Sequence, residues 1–368
     1  MKTAAVLFVV AIAGCASAAP AAVNAARALP AKALIGYLHA SFANGAGYIP
    51  LANVSDDWDV INLSFGEPTS PTDGNIQFTL CPATECPNVE SEAAFIAAVD
   101  AKKAKGKLVQ LSIGGQNGQV QLTTTTARDK FVSSVSAIID KFHLTGVDID
   151  FEGHSLSLDA TDVDFENPTT AVIVNLISAL KSLKSKYGAG FTLTMAPETF
   201  FVQLGVTYYG PGPWGGQDPR AGAFIPVIHA LRDSLTLLHV QDYNSGSIPD
   251  LNGNWASMGG SDFHVQMTDI VLNGFTVANN NGKKFPPLNP AQVAFGVPSA
   301  QFAGNGYVDP TAVQAAVNCL TKKTSCASYS PKAGPYPGLR GVMTWSINWD
   351  EYNGGAFRKA MRPFLNSL

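Results

Sequence analysis

Three acidic residues alternate with apolar residues in the short segment Gly146–Gly153, which reads GVDIDFEG. Asp148, Asp150 and Glu152 occupy every second position of this segment. Alternation of this kind predicts a β-strand, because successive side chains of a strand point to opposite faces. Acidic residues are poor strand formers, and like charges that neighbour one another on one face repel. The composition of this strand therefore predicts a chemical use for its carboxyl groups.

Proton transfer is the chemistry that such a row of carboxyl groups favours. Residues two apart on a strand have Cα atoms about 6–7 Å apart, so their carboxyl groups can approach within hydrogen-bonding distance. Burial and mutual repulsion then keep one group of a close pair protonated. A neutral carboxylic acid is what protonation of a leaving oxygen requires. A buried salt-bridge network is the alternative, but the strand contains no basic residue and such a network stabilises a fold poorly.

The elements that must position these acids are short apolar runs that alternate with amphipathic helical patterns. The predicted strands are Leu34–Leu38, Val60–Phe65, Leu108–Ile113, Val147–Glu152, Phe191–Ala196, Leu237–Tyr243, Val293–Val297 and Val342–Trp345. The predicted helices are Glu92–Lys105, Ala127–Phe142, Thr170–Tyr187, Ala221–Arg232, Asp262–Leu272, Pro310–Leu320 and Gly355–Leu365. This alternation predicts a single (β/α)8 TIM barrel over residues 34–368. A doubly wound sheet is the alternative, but the first strand is not followed by a glycine-rich phosphate turn.

In a barrel of this kind the three acids project inward, while the apolar residues between them pack against the surrounding helices. Active sites of TIM barrels lie at the carboxyl ends of the strands. Glu152 is therefore expected at the mouth of the barrel, with Asp150 one layer lower and Asp148 lower still. Long loops are predicted to cover the same face, at Glu67–Ser91, Glu198–Arg220 and Asn244–Ser261.

Composition and charge exclude several classes of protein. Hydrophobic residues make up 46% of the 368 residues and charged residues 14%, which is typical of a globular protein with a large core. The net charge is −4, and no basic block is present that would favour a nucleic-acid partner. No linker or internal repeat predicts a separate binding module. We expect a monomer without a transmembrane segment in the mature chain.

The N-terminus has the pattern of a secretory signal peptide. Lys2 precedes an apolar run from Ala4 to Ala13, and Ala16–Ala18 fits the rule of small residues at a cleavage site. We therefore expect a signal peptide over residues 1–18, a flexible segment over residues 19–33, and a secreted, extracellular protein. A bacterial lipoprotein site at Cys15 is the alternative.

Four cysteines remain after removal of the signal peptide, and they form two close pairs. In a secreted chain an even number of cysteines predicts disulfides, and local pairing of Cys81 with Cys86 and of Cys319 with Cys326 is the simplest connectivity. Zinc is the alternative ligand, although no histidine lies at ligand spacing near either pair. Asn53 lies in a glycosylation sequence that applies if the host is eukaryotic.

The strand GVDIDFE resembles the DGxDxDxE signature of family 18 glycoside hydrolases, the chitinases and their relatives. Four other segments resemble motifs of that family, each at the end of a different predicted strand: Leu111–Gly115, Met195–Glu198, Gln241–Asn244 and Trp345. The resemblance covers essentially the whole mature chain. The chain departs from the signature at Thr145, where the family usually has its first acid, and a neutral hydroxyl then lies below Asp148.

The resemblance implies a reaction in which the substrate supplies its own nucleophile. A retaining glycosidase normally has two carboxyl groups on opposite sides of the bond, about 5–5.5 Å apart, and two acids on one strand cannot easily do this. In the family, the 2-acetamido oxygen of the sugar attacks the anomeric carbon and forms an oxazolinium ion. From the residues alone, Glu198 and Asp242 stay open as candidates for an opposed nucleophile.

The resemblance also implies a role for individual residues. Glu152 would be the general acid and base, Asp150 would bind the acetamido N–H, Asp148 would tune Asp150, and Tyr243 would bind the acetamido oxygen. Trp345 would stack against the reacting sugar. The remaining substrate-binding residues implied are Gln241, Asn244, Met195, Tyr37 and Phe65.

The expected substrate is chitin or its oligosaccharides, because the reaction requires a 2-acetamido group. An endo-β-N-acetylglucosaminidase that cleaves N-glycans is the alternative enzyme, and a non-catalytic chitin-binding lectin is the alternative from another class. No cofactor and no metal are expected. Trp214 and Trp255 stay open between sugar-stacking residues and loop anchors, Trp58 is interpreted as structural, and no role is assigned to His39 or His154.

Overall fold

Eight parallel strands close into a barrel in the computed structural model, which describes Met1, residues 29–212 and residues 215–368. The strands are β1 (Ala33–His39), β2 (Val60–Pro68), β3 (Leu108–Gly114), β4 (Gly146–Asp150), β5 (Thr192–Met195), β6 (Leu237–Gln241), β7 (Val293–Pro298) and β8 (Gly341–Trp345). Each strand pairs with its neighbours in chain order, and β1 pairs with both β2 and β8, which closes the barrel. The predicted TIM barrel is confirmed.

Helices surround the barrel, with one exception in the first connection. They are α1 (Glu92–Ala104), α2 (Thr125–Phe142), α3 (Ala171–Tyr187), α4 (Ile225–Leu231), α5 (Ser261–Asn273), α6 (Pro310–Lys322), α7 (Ile347–Tyr352) and α8 (Ala356–Asn366). Between β1 and β2 the chain has a 3-10 turn at Leu51–Asn53 in place of an α-helix. The fully buried Trp58 packs against Gly36 of β1, where a Cβ atom would lie 2.8 Å from the indole. Trp58 is therefore structural, as the sequence indicates.

Side chains inside the barrel form layers of different polarity. The lowest layer is apolar and consists of Ala33, Ile35, Val60, Leu108, Leu237, Ala294 and Met343. Above it, Gln110 Nε2 donates to Asn62 Oδ1 at 2.8 Å, and Thr192 Oγ1 donates to Gln110 Oε1 at 2.8 Å. These hydrogen bonds give Gln110, Thr192 and the Asn62 carbonyl oxygen partners in the buried interior. The acids of β4 therefore lie above a polar layer and not in an apolar core.

Strand β4 ends two residues earlier than the sequence predicts, at Asp150 instead of Glu152. The alternation nevertheless continues past its end, because Phe151 is buried and its ring meets Phe131 of α2 edge-on at 6.4 Å. Glu152 consequently points to the opposite side, toward the mouth of the barrel. Gly114 at the end of β3 allows the backbone of β3 to approach the end of β4 closely. A Cβ atom at Gly114 would overlap the carbonyl oxygen of Asp150.

Two disulfides link the cysteine pairs that lie close in sequence. Cys81 is bonded to Cys86, and Cys319 is bonded to Cys326. The local pairing is confirmed, and these cysteines are not zinc ligands. The first disulfide belongs to the loop between β2 and α1, where Cys81 N donates to Ala40 O at 2.9 Å. The disulfide closes a turn within this loop, and the hydrogen bond connects the loop to the end of β1.

The expected signal peptide, Cys15, residues 19–28 and Trp214 lie outside the described residues. The last part of the segment that was expected to be flexible contacts the base of the barrel. Lys32 Nζ donates to Leu339 O at 2.7 Å, and Arg340 Nη1 donates to Pro30 O at 2.6 Å. Strand β1 begins at Ala33, one residue before the predicted boundary. Within the described part of the chain, we find no helix with the length and apolar character needed to cross a membrane.

Candidate active site

A cleft of about 890 Å³ opens at the carboxyl ends of the barrel strands. Asp150, Glu152 and Glu198 lie on its lower wall, and Trp345 and Phe65 lie beside them. The remaining lining residues are Ser41, Phe42, Asn44, Glu67, Gln77, Thr79, Gln116, Asn117, Gly153, Gln241, Tyr243, Asn244, Ala303 and Asn305. Among the residues that the structure describes, the lining includes four acids and no lysine, arginine or histidine. A neutral polymer or a cationic ligand fits such a cleft better than an anion.

Asp148 lies fully buried beneath this cleft and accepts three hydrogen bonds. Tyr37 Oη and Ser112 Oγ donate to its Oδ2 at 2.7 and 2.8 Å, and Thr194 Oγ1 donates to its Oδ1 at 2.6 Å. His239 Nε2 lies 3.3 Å from the same Oδ1. Burial alone would raise the pKa of Asp148, but His239 and the hydrogen bonds from Thr194 and Tyr37 outweigh burial and lower the pKa. Asp148 is therefore the ionised member of the row.

Asp150 and Glu152 share a common donor. Gln241 Nε2 donates to Asp150 Oδ1 at 2.8 Å and to Glu152 Oε1 at 3.0 Å, and it also lies 2.9 Å from the Ala196 carbonyl oxygen. Burial raises the pKa of Asp150 well above its usual range, and the charges of Glu152 and Asp148 raise it further. Burial also raises the pKa of Glu152. The pair therefore holds a proton under mildly acidic conditions.

The origin of the raised pKa of Glu152 differs from the sequence-based expectation. The sequence predicts that burial and mutual repulsion together keep one group of the pair protonated, with Glu152 as the proton donor. In the structure, burial raises the pKa of Glu152, while hydrogen bonds from Gln241 and from Asp150 lower it. Asp150 is the group with the more strongly raised pKa, because it lies deeper and has an acid on each side. The two carboxyl groups therefore hold a proton between them.

Glu198 also lines the cleft, at the end of β5. Burial and the charge of Glu152 raise its pKa to about 7, although Arg220 opposes the shift. Arg220 Nη1 donates to Gly153 O at 3.2 Å, so this arginine connects the loop after β5 with the residue that follows Glu152. Because Glu198 is protonated in mildly acidic solution, it is a poor nucleophile there.

We expect the Glu198→Gln substitution to shift the pH profile more than the rate. A negative charge at Glu198 raises the pKa of Asp150, so removal of that charge lets the acid pair lose its proton at lower pH. The alkaline limb of kcat/KM should therefore move to lower pH, with less than about tenfold loss of kcat/KM near pH 5. The measurement is the pH profile of kcat/KM on a substrate of the class that the resemblance implies, with Glu67→Gln at the exposed rim as the control. A limb that stays in place or moves to higher pH would contradict this assignment.

Asp242, the second candidate for an opposed nucleophile, does not face the cleft. It follows Gln241, which points inward, so its side chain points outward to α5, where His264 Nδ1 lies 3.3 Å from its Oδ2. Burial raises its pKa to about 6, against the opposing effect of His264. Both residues are buried away from solvent. Asp242 is therefore not available to a bound sugar.

Aromatic rings form one wall of the cleft. Phe65 and Trp345 are stacked with their centroids 5.7 Å apart, and Phe42 stacks on Phe65 at 6.2 Å. Tyr37 lies below Trp345 at 5.6 Å and is buried, so it positions the wall and Asp148 without lining the cleft. The buried His39 stacks against Phe42 at 4.7 Å, and burial lowers its pKa to about 3. The wall is thus apolar and uncharged.

Tyr243 and Asn244 lie at the end of β6 and both line the cleft. Burial raises the pKa of Tyr243 well above its usual range, so its phenol stays protonated and can donate a hydrogen bond. Asn244 has a positive φ of 50°, and its Oδ1 accepts a hydrogen bond from Asn305 N at 2.8 Å. Asn244 therefore connects this strand end to the loop after β7.

Met195 was expected in the substrate wall, and the structure places it elsewhere. Its neighbour Thr194 points inward to Asp148, so Met195 points outward and is fully buried in the layer between barrel and helices. The apolar residues Phe191, Leu193 and Met195 alternate with polar ones, and this alternation predicts that Met195 points outward.

Sequence reasoning missed several lining residues, which lie in loops except for Glu67 at the end of β2 and Gln77 in the two-residue strand Ile76–Gln77. They are Ser41, Phe42, Asn44, Glu67, Gln77, Thr79, Gln116, Asn117, Ala303 and Asn305. Trp255 is 58% exposed and therefore does not anchor its loop, and His154 is exposed beside Gly153.

Comparisons with known proteins agree with this geometry. Residues 33–245 match the family model described as Glycosyl hydrolases family 18. Exochitinase 1 of Streptomyces olivaceoviridis is 64% identical over 350 residues, which cover 95% of this chain and 58% of that protein. Chitinase D of Niallia circulans is 50% identical over 342 residues, which cover 92% of this chain and 62% of that protein. The chain thus spans about three fifths of the length of these two relatives.

A solved structure is similar over the whole barrel. The family 18 chitinase from Chromobacterium violaceum superposes with a TM-score of 0.82 at 40% sequence identity, covering 92% of this chain and 85% of that one. Together with the acid row at the mouth of the barrel, these similarities establish the family. The chain belongs to glycosyl hydrolases family 18.

Proposed function

We propose that this chain is the catalytic barrel of a secreted chitinase that hydrolyses β-1,4-linked N-acetylglucosamine polymers with retention of configuration. The observation that carries the proposal is the difference in protonation among Asp148, Asp150 and Glu152, which form a row at the base of the cleft. One member is ionised, and the pair above it holds a proton next to an open cleft. Relatives named as chitinases, at 64% and 50% identity, support the same substrate class.

The nucleophile in this proposal is the 2-acetamido oxygen of the sugar. Asp242 faces the helices, and Glu198 has a pKa of about 7, so neither supplies an ionised carboxylate opposite Glu152 in mildly acidic solution. Asp150 and Glu152 both contact Gln241 and therefore lie on the same side of the cleft. A substrate group therefore attacks the anomeric carbon from the other side, as substrate-assisted glycosidases do.

In the first step the leaving oxygen gains a proton, and the glycosidic bond is replaced by a bond from the acetamido oxygen to the anomeric carbon. The acetamido N–H donates to Asp150, which favours its ionised form, and the proton passes to Glu152. Glu152 then protonates the glycosidic oxygen while the acetamido oxygen bonds to the anomeric carbon and the leaving sugar departs. Tyr243 donates a hydrogen bond to the acetamido oxygen, and Trp345 stacks against the sugar ring.

The second step restores the proton of the acid pair, which passes back to Asp150 when the product leaves. The Glu152 carboxylate takes a proton from water as the water oxygen attacks the anomeric carbon of the oxazolinium ion and opens its ring. The proton that Glu152 donated is thereby restored. Meanwhile Asp150 stabilises the positive charge of the ion, which is an effective contribution in a buried site. Two inversions at one carbon give net retention.

Secretion is part of the proposal. Two disulfides join the described cysteine pairs, and disulfides are typical of oxidising compartments. The N-terminal sequence has the pattern of a signal peptide.

Digestion of matched substrates tests the function. The purified protein should cleave a chitin hexamer with turnover, should leave N-glycopeptides intact, and should be inhibited by a thiazoline analogue of the oxazolinium ion. Product sizing by mass spectrometry provides the measurement, and a cellohexaose digest without acetamido groups provides the control. Cleavage of N-glycopeptides but not of the chitin hexamer would move the protein to the glycan-processing alternative. Binding of the hexamer without cleavage would favour the lectin alternative.

A further inference from the structure

Glu152 lies beyond the end of its strand, although the proposed reaction needs its carboxyl group in a fixed place. Strand β4 ends at Asp150, where Gly115 N donates to Asp150 O at 2.8 Å. A turn follows, in which Ser155 N donates to Glu152 O at 3.1 Å. The hydrogen-bonded ladder between strands therefore does not by itself fix the backbone of Glu152. Residues 152–155 are called the acid turn below.

Two side chains from neighbouring loops bind the backbone of the acid turn. Arg220 Nη1, from the loop after β5, donates to Gly153 O at 3.2 Å. Gln121 Nε2, from the loop after β3, donates to His154 O at 2.7 Å. Strands β3 and β5 are the two neighbours of β4 in the barrel. The two successive carbonyl oxygens after Glu152 are therefore held from both sides.

The guanidinium group of Arg220 is itself held in one orientation. Asp218 accepts hydrogen bonds from its Nε at 2.9 Å and from its Nη2 at 2.6 Å. The ring of Phe200 lies against the same group, with 5.5 Å between the ring centroid and Cζ. A carboxylate that binds two nitrogens fixes the plane of an arginine as well as its position. Arg220 is therefore preorganised to bind the acid turn.

Arg220 acts on the acid turn and not on a bound sugar. Among the described residues that line the cleft, Gly153 is present and Arg220 is not. Its contact with Phe200, in the 3-10 turn Thr199–Phe201, also connects the acid turn to the segment that follows Glu198. The positive charge of Arg220 opposes the rise in the pKa of Glu198. A lysine at this position keeps the charge but not the planar fork, so charge and geometry can be separated.

We propose that Arg220 and Gln121 are positioning residues for the proton donor, because they hold the acid turn so that the Glu152 carboxyl group stays within reach of the glycosidic oxygen. The inference rests on the proposed function for the role of Glu152. A proton donor must lie within hydrogen-bonding distance of the oxygen that it protonates. A displacement of about 1 Å in a reacting group can lower a rate by about a hundredfold, so a small shift of the turn has a large effect.

The test compares a leaving group that needs a proton with one that does not. A sugar oxygen leaves only when it is protonated, whereas dinitrophenolate is a stable anion and leaves without a proton. Arg220→Ala should therefore lower kcat/KM on a chitin tetramer by about tenfold to a hundredfold. On dinitrophenyl chitobioside the same substitution should lower kcat/KM by less than about threefold. A residue that only stabilises the fold would affect both substrates equally.

Two further variants and one control complete the test. Arg220→Lys should show the same selective loss as Arg220→Ala, because the planar fork is lost. Gln121→Ala breaks the other carbonyl contact and should show a smaller loss with the same dependence on the leaving group, and it decides the question if Arg220→Ala does not fold. Arg232→Ala is the matched control, since Arg232 Nη2 also donates to a loop carbonyl oxygen, Pro287 O at 2.6 Å. It should change neither value of kcat/KM.

Three results would overturn the inference while the proposed function stands. Equal losses on both substrates would show that Arg220 acts through folding or substrate binding. Full activity of Arg220→Lys on the tetramer would show that the charge is sufficient. Values for Arg220→Ala and Gln121→Ala that match those of Arg232→Ala would show that the acid turn needs neither contact. Failure of the unsubstituted protein on both substrates would instead refute the proposed function, and the inference with it.

Discussion

Replacing Glu152 with Gln lowers kcat on chitin oligomers by about 10²–10⁴-fold, because the amide cannot donate a proton to the glycosidic oxygen. Gln has the shape of Glu and keeps a polar group next to Gln241, so the cleft should still bind its ligand. The dissociation constant of a chitin hexamer, measured by calorimetry, is therefore expected to stay within a few-fold of the value for the unsubstituted protein. The large effect on kcat and the small effect on binding together identify the proton donor.

The matched control for this substitution is Glu67→Gln. Glu67 also lines the cleft but is exposed at the end of β2, away from the acid pair. The Glu67→Gln protein should retain most of the activity of the unsubstituted protein. Activity of the Glu152→Gln protein within tenfold of the unsubstituted protein would refute the role assigned to Glu152, provided that the preparation contains no unsubstituted enzyme.

Replacing Asp150 with Asn is the second substitution with a large expected effect. Asn keeps the size of the side chain but cannot become a carboxylate when the acetamido N–H binds, so the charge of the oxazolinium ion loses its nearest partner. We expect kcat/KM to fall by about 10²–10³-fold. Affinity for the thiazoline inhibitor should fall in parallel, because the inhibitor resembles the ion more than the substrate.

Asp242→Asn provides the control for Asp150→Asn. Asp242 is equally buried near the same end of the barrel, but it contacts His264 on the outer side. Asp242→Asn removes a buried carboxyl group without changing the cleft. Near-ultraviolet circular dichroism reports whether each of the two variants is folded. Equal losses of kcat/KM in both variants would show that Asp150 acts through folding and not through the reaction.

Alternation along the strands made the barrel and the acid row predictable from the sequence. Side chains of a strand point alternately into and out of the barrel, so the direction of one side chain gives the direction of all the others. Asp148, Asp150 and Glu152 therefore point inward as expected, although β4 ends at Asp150. The same rule applies to Met195 and Asp242, whose outward direction follows from their inward neighbours. Motif similarity alone had placed Met195 in the wall.

Loops and protonation states were less predictable for a physical reason. Phe42 enters the aromatic wall from a loop after β1, and a loop has no periodicity that fixes the direction of its side chains. The distribution of the proton between Asp150 and Glu152 depends on depth and on the donor Gln241, which approaches from β6. These contacts join residues far apart in sequence, and only the folded barrel brings them together.

The most direct measurement of the central proposal varies the nucleophile itself. Aryl chitobiosides whose reacting sugar has an acetyl, fluoroacetyl, difluoroacetyl or trifluoroacetyl group on nitrogen differ in the electron density of the carbonyl oxygen and little in size. If that oxygen attacks the anomeric carbon, kcat/KM falls steeply with each added fluorine, and this is the result we predict. A kcat/KM that does not depend on the number of fluorine atoms would mean that a carboxylate of the protein is the nucleophile, and it would contradict the account.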